Sequence, residues 1–188
     1  FSWHSALFPL LRSGMTKIKV GEWRTVESGP MQVVSGAMGR EKVHYEAPCA
    51  SKLDHEIDVF LDWFNNSKDI DPVIKAGVAH FWFVTIHPFE DGNGRIARAI
   101  ADMCLSRADE MPERFYSMSS QIKDERSKYY LMLEKSQGYN LDITNWLEWF
   151  VACFDRSIQN ADIILNKIII KANLWRKLNS YSSSININ

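Results

Sequence analysis

The sequence predicts a mainly α protein, a helical bundle with one β-hairpin. Three observations support this. From residue 53 to about residue 170, apolar residues recur at helical spacing in several separate segments. One earlier stretch, residues 20–47, breaks that pattern with Gly21, Gly29, Gly36 and Gly39 and with short β-prone runs. "DPVIKAGVAHFWFV" opens with Asp71 and Pro72, a helix-start signal, and is then apolar on nearly every face.

Size and charge narrow the possibilities. A chain of 188 residues, 46% hydrophobic, suits one domain with a sizeable core; we assign residues 1–178 to it and read 179–188, "NSYSSSININ", as a polar tail or linker. With 22 basic and 23 acidic residues there is no general attraction to nucleic acid or to an anionic membrane, and direct binding to either is not expected. Cys49, Cys104 and Cys153 form no Cys-x-x-Cys pair and read as free thiols in a reducing, cytoplasmic setting. No apolar run reaches the length of a membrane span. The chain starts at Phe1, and "FSWHSALFPLL" reads as the inside of a helix, so a fragment lacking upstream sequence is expected.

The elements follow in order. Residues 2–11 read as a short helix closed by "RSG". Met31–Val34 and Val43–Tyr45 read as the arms of a hairpin spanning about 29–47, with Pro48 as a stop. Leu53, Ile57, Phe60, Leu61 and Phe64 make one face of the next helix. The helix from Asp71 is the central buried one. Beyond the loop, Ile96, Ile100, Met103 and Cys104 form another stripe. A helix is expected from about Ser120 to Gln137, stopped by Gly138, and a last one from Asp142 or Thr144 past Ile170.

The loop "HPFEDGNGRIAR", His87 to Arg98, holds the densest set of reactive groups. Gly92 and Gly94 flank Asn93 where a new helix begins, so unpaired amides and the helix dipole favour an anion there. Arg95 and Arg98, three apart, can share a face. Together they describe a cradle for several phosphates. Asp91 is a hard oxygen ligand suited to a phosphate-bound Mg²⁺. His87 is a ready general base near neutral pH. A calcium loop is rejected, because Arg95 and Ile96 stand where an oxygen ligand and a glycine belong, and no Walker-type Gly-x-x-x-x-Gly-Lys occurs. The bland alternative is a helix–turn–helix corner with an Asp91–Arg95 surface pair. His4, His44, His55 and His80 read as structural.

The same residues resemble a known family. "HPFEDGNGRIAR" matches the Fic signature, His-x-Phe-x-(Asp/Glu)-Gly-Asn-Gly-Arg-x-x-Arg, at every specified position. "MQVVSG" and "VHYEAP" are similar to that family's flap, "DERSKYYLMLE" to its nucleotide-proximal helix, and "DITNWLEWFV" to its C-terminal helix. Within that family it resembles the bacterial members with an N-terminal regulatory region. The resemblance implies a helical bundle with a flap next to the active-site loop, and transfer of AMP from ATP to a Tyr, Ser or Thr hydroxyl of a target protein. It implies His87 as base, Asp91 as the Mg²⁺ ligand, the Gly92–Gly94 amides and Asn93 on phosphate oxygens, Arg95 and Arg98 on the outer phosphates, and Phe89 as a core anchor. It also implies that Tyr129 or Tyr130 borders the adenosine; the residues alone suit packing equally well. A hairpin edge can pair with an extended target segment, and Val33, Val34 and Ser35 are assigned to that edge.

Two other functions stay open: a Fic-type transfer of phosphate or of another nucleotide, and a nucleotide-binding module without catalysis. The unaltered Gly-Asn-Gly-Arg core favours AMP, and His87 argues against pure binding. The family's inhibitory pattern, (Ser/Thr)-x-x-x-Glu-(Gly/Asn), is matched only imperfectly by Ser106–Met111 and Thr144–Trp149. Both read as chance matches, and the expectation is an unrestrained form able to modify itself.

Overall fold

The computed structural model describes residues 1–37, 39–108, 114–138 and 142–185, with side chains up to 179. It is mainly helical, with two small antiparallel hairpins. In chain order the elements are α1 (Ser2–Leu7), β1 (Arg12–Ser13), β2 (Thr16–Lys17), β3 (Gln32–Ser35), β4 (Lys42–Glu46), α2 (Leu53–Asn66), α3 (Pro72–Ile86), α4 (Asn93–Ala108), α5 (Met118–Asp124), α6 (Arg126–Ser136) and α7 (Thr144–Ile185).

α3 is the central helix and packs against α4, α7 and α2. It begins as the sequence demands: the Asp71 carboxylate accepts from the Val73 and Ile74 amides at 2.9 and 3.1 Å, with Pro72 at the first helical position. Its Ala76, Ala79 and His80 have no solvent exposure. Gly77 admits α7 closely, since a Cβ there would sit 3.0 Å from both Leu147 and Phe150. The Trp146 indole donates to the Gly77 carbonyl at 2.9 Å across the same contact. Trp146, Phe150 and Cys153 of α7 are fully buried by this arrangement.

Several expectations are corrected. The first helix ends at Leu7, not residue 11, because the residue before a proline avoids the α region; Phe8 leaves it at φ −132°, ψ 62°. The small β1–β2 hairpin that follows was not anticipated. Leu61 does not join the buried face of α2 and is largely exposed, whereas Leu53, Ile57, Phe60 and Phe64 are buried. The helix expected over 120–137 is two, α5 and α6, broken at Glu125. The break accompanies a dense set of contacts to that carboxylate: Arg156 donates from Nε and Nη2 at 2.6 and 2.7 Å, and Trp149 Nε1 and Gln121 Nε2 at 3.1 and 2.7 Å. The imperfect Ser106–Met111 match runs from α4 into residues outside the described set.

In the β3–β4 hairpin, β3 lies one residue later than expected and β4 is one residue longer at each end, and the hairpin contains a bulge. Val33 pairs with Tyr45 but Val34 with Val43, so His44 is an extra residue on β4. The bulge turns neighbouring side chains, His44 and Tyr45, toward the body of the protein. Tyr45 Oη donates to the Thr85 carbonyl at 2.8 Å and fastens the hairpin to α3.

α7 contains 42 residues and so extends about 63 Å at 1.5 Å per residue. It runs to Ile185, into the segment from 179 read in the sequence as a tail. From Asp162 to Asn179 its side chains are exposed, apart from half-buried Leu165; Ile163, Ile164, Ile168, Ile169, Leu174 and Trp175 are among them. Among the described residues no helix is long and apolar enough to cross a membrane.

Candidate active site

The loop between α3 and α4 is built from a chain of local necessities. His87 terminates α3 in the left-handed region, at φ 51° and ψ 57°, and its amide closes the last turn on the Phe83 carbonyl at 3.1 Å. Pro88 cannot extend the helix. Phe89 then drops into the core at 2% exposure and stacks on His4, with centroids 4.0 Å apart and rings 9° from parallel. Gly92 takes φ 84°, and a Cβ there would lie 2.8 Å from the Phe8 ring, so the fold itself requires glycine.

The Asn93 side chain, expected on a phosphate, is committed elsewhere. Its Oδ1 accepts from the Phe89 amide at 2.9 Å and its Nδ2 donates to the Phe89 carbonyl at 2.8 Å. It is 2% exposed and ties the loop to itself. What Asn93 offers the cleft is its backbone amide. α4 starts at that residue, and the first amides bonded within the turn are those of Arg95 and Ile96, both to the Gly92 carbonyl at 3.0 Å. The N–H groups of Asn93 and Gly94 precede that turn and stand at the anion-favouring end of the helix.

The N-terminal segment holds the loop from behind, and sequence reading missed this. Arg24 is 2% exposed, and its side chain donates to backbone carbonyls. Its Nε reaches the His87 carbonyl at 2.8 Å, and its Nη2 reaches the Pro48 and Ile86 carbonyls at 2.5 and 3.4 Å. A cation thus caps the C-terminal end of α3, where the helix dipole favours it. His4, read as structural, is so, but it also supports the site. Its Nδ1 accepts from the Gly21 amide at 3.0 Å, so its Nε2 carries the proton and donates to the Asp91 carbonyl at 3.0 Å. Glu90 is held by the Ser28 hydroxyl and the Lys19 amide at 2.6 and 2.9 Å. No local pattern in the sequence signals contacts of such separation.

The reactive side chains converge on one cavity of about 710 Å³, within the range of small-ligand sites. Its floor is formed by His87, Asp91, Gly92, Gly94, Arg95 and Arg98, and Asn93 joins them. Val33, Val34, Ser35 and His44 form the roof, and Tyr129, Tyr130, Glu134 and Gln137 of α6 and its end close the side. Every site residue assigned from the sequence therefore lines the same space. His44, expected to be structural only, lines it too; His55 lies exposed on α2, away from it.

The His87 ring is oriented by its own helix. Nδ1 lies 3.0 Å from the Val84 carbonyl, which can only accept, so Nδ1 bears the proton and Nε2 a free lone pair. Burial lowers its pKa below the usual histidine value, against the raising influence of the Val84 bond and the Asp91 charge, with Arg24 adding to the lowering. The ring is neutral and able to accept a proton at pH 7. The Asp91 carboxylate is partly exposed. It accepts from Ser13 Oγ and from the Gly92 amide at 2.6 Å, and Arg95 approaches it at 3.7 Å. Arg95 also lies over the Phe8 ring at 4.5 Å. The Tyr129 hydroxyl lies 3.1 Å from His80 Nε2, with the Arg98 charge nearby. His80 is fully buried and pushed down to about 3, by burial first and by the Arg98 charge second. Tyr129 is thus mostly a supporting wall at 3% exposure, while Tyr130 is 48% exposed with Arg126 at 5.6 Å from its ring.

Comparison with known proteins agrees with this geometry. Residues 1–105, more than half the chain, match the Fic/DOC family profile, and the chain belongs to that family. Among its relatives is a protein named Protein adenylyltransferase Fic from Drosophila willistoni, 35% identical over 102 residues, 53% of this chain and 19% of that one. A protein of the same name from Nematostella vectensis is 31% identical over 114 residues, 59% of this chain and 25% of that one. The chain therefore spans about a fifth to a quarter of the length of these relatives. In fold it is similar to a Fic family protein from Desulfovibrio desulfuricans, with TM-score 0.68 at 24% identity, covering 87% of this chain and 46% of the other. It also resembles Fic-1 from Caenorhabditis elegans, TM-score 0.62 at 22% identity, over 88% and 42% of the two chains. The mainly α bundle with a flap is the fold of this family.

Proposed function

We infer that this chain transfers AMP from ATP to a hydroxyl group of a protein, as the names of its curated relatives suggest. The observation that carries the reading is the bare His87 Nε2 on the same cavity as the amide-lined start of α4 and two arginines. His87 takes the proton from the attacking Tyr, Ser or Thr hydroxyl, and the amides of Asn93 and Gly94 with Arg95 and Arg98 receive the phosphates. Transfers at phosphorus need positioning and charge neutralisation more than covalent help, which these groups can supply. The target segment pairs with the flap edge at Val33, Val34 and Ser35, since among the described residues β3 pairs with β4 alone.

Gly94 supports a phosphate at this point. Its φ is not in the left-handed region, and an added Cβ would meet nothing nearer than Arg98 Nη1 at 3.6 Å. The protein alone has room for a methyl group there; a ligand drawn against the backbone would not. Asp91 fits Mg²⁺, which needs only one or two protein carboxylates when phosphates supply its other oxygens; among the described residues no larger group of metal-binding side chains occurs. Bound there, Mg²⁺ would offset phosphate charge. The free state of Cys49, Cys104 and Cys153 supports a reducing, cytoplasmic setting.

Incubation with ATP labelled on the adenosine or on the γ-phosphate, in a protein lysate, tests this. Label from adenosine on protein is the expected result. Label from the γ-phosphate alone would show phosphate transfer, and bound but unreacted ATP a sensing module. His87→Ala should lower transfer by about 100-fold or more while ATP still binds. Its lowered pKa predicts that activity in the wild type stays level as pH falls through 6.5 and declines only below it. Asp91→Ala should abolish the Mg²⁺ dependence of ATP binding.

A further inference from the structure

The roof of the cleft holds a second set of reactive groups. Ser35 Oγ lies 2.5 Å from His44 Nε2, and His44 Nδ1 lies 3.0 Å from Glu134 Oε2. A carboxylate can only accept, so in the neutral ring Nδ1 donates to Glu134 and the Nε2 lone pair accepts the Ser35 O–H. Hydroxyl, base and orienting acid stand in the order that activates a serine nucleophile. Glu134 is itself fixed, because its Oε1 accepts from Lys42 Nζ at 3.0 Å.

The arrangement depends on the bulge in β4. His44 is the extra residue between the Val33–Tyr45 and Val34–Val43 pairs, and it turns inward beside Tyr45 where regular pleating would send one of the two outward. Ser35, opposite Lys42 at the end of the ladder, is exposed and accessible. All three groups line the same cavity as His87, Asp91 and Arg98.

We propose that Ser35 is an activated hydroxyl and the chain's own acceptor for the adenylyl group, with His44 as its base and Glu134 orienting the ring. This rests on the adenylyl-transfer reading and adds to it a named acceptor with a base separate from His87. Ser35 Oγ attacks the α-phosphorus of ATP, and its proton passes to His44 Nε2. The bond from that phosphorus to the bridging oxygen breaks, and pyrophosphate leaves with the electron pair. Glu134 stabilises the imidazolium that forms.

The test uses the whole chain with ATP and Mg²⁺, followed by intact mass and peptide mapping. One adenylyl group on Ser35 is expected. It should be absent in Ser35→Ala and form about 100-fold more slowly in His44→Gln. Glu134→Gln should slow it as well, and Glu134→Asp should recover part of the rate. A fluorophosphonate probe, applied without nucleotide, reads the activation of Ser35 by itself and should label it in a His44-dependent way. Adenylyl groups on other residues or on added proteins, with Ser35 neither modified nor labelled, would overturn this inference and leave the functional reading intact. Modification of Ser35 at the same rate in His44→Gln would overturn the role of the base. A chain that adenylylates nothing, yet is labelled at Ser35, would overturn the acceptor role through failure of the functional reading.

Discussion

The floor and the roof of the cleft are held by different physics. The floor, His87 to Arg98, is fixed by buried contacts: Phe89 stacked on His4, Asn93 bonded to Phe89, and Arg24 on three carbonyls. The roof is tied by a partly buried bond, Tyr45 to Thr85, and by largely solvated charges, Lys42 and His44 on Glu134. Buried polar contacts are costly to break one at a time, whereas exposed ion pairs contribute little and are weakened by salt. The groups proposed to hold phosphate are thus held rigidly, while the edge proposed to receive a protein segment is more loosely tied.

The largest effect should come from removing the floor's cation. Arg24→Ala leaves buried carbonyls without donors, and a loss of about 3 kcal/mol or more in unfolding free energy is expected from denaturant titration. A loss under about 1 kcal/mol would show that water replaces the guanidinium easily.

Acid should come next. His4, His80 and His87 all have pKa values lowered first by burial. The unfolded chain takes up these protons near pH 6.5, and the folded chain resists until lower pH. Stability is therefore full above 6.5 and falls as pH drops below it, for His80 across the window from 6.5 to about 3. Each such histidine contributes a slope of at most about 1.4 kcal/mol per pH unit. Unfolding curves at pH 7 and 5 would detect it, and equal stabilities would count against neutral buried rings.

A smaller effect of opposite sign is expected at Gly94. Gly94→Ala should stabilise the fold by a few tenths to about 1 kcal/mol and weaken ATP binding tenfold or more. Unimpaired binding would remove the argument that glycine is there for the phosphate. The smallest change belongs to the roof. Glu134→Gln should cost under about 1 kcal/mol of global stability, while hydrogen exchange at the β3–β4 amides quickens. A global loss as large as that of Arg24→Ala would erase the contrast between roof and floor.

Local signals made part of this molecule legible in the sequence. Asp71 and Pro72 cap α3 as their types require, and the spacing from His87 to Arg98 put six polar groups on one cavity. The resemblance to the Fic family added the flap. What the sequence hid depends on distant partners. The break at Glu125 involves Arg156, 31 residues on, and the role of Arg24 depends on a helix end 63 residues away. The bulge at His44 shows only once the two strands are in register. Asn93 lines the cavity at the start of α4, but its side chain faces the backbone of Phe89, which no local pattern signals.

α7 joins two environments with one hydrogen-bonded rod. Trp146 near its start has no solvent exposure, while Trp175 is 57% exposed. Between them, past Ala161, tertiary support gives way to helix propensity alone, in a stretch rich in β-branched isoleucine that favours the helix only weakly. The same element is therefore cooperative with the core at one end and nearly an isolated peptide at the other. Of the seven indoles in the chain, these two would emit as from oil and from water, so that melting of the outer turns and collapse of the bundle are separate optical events.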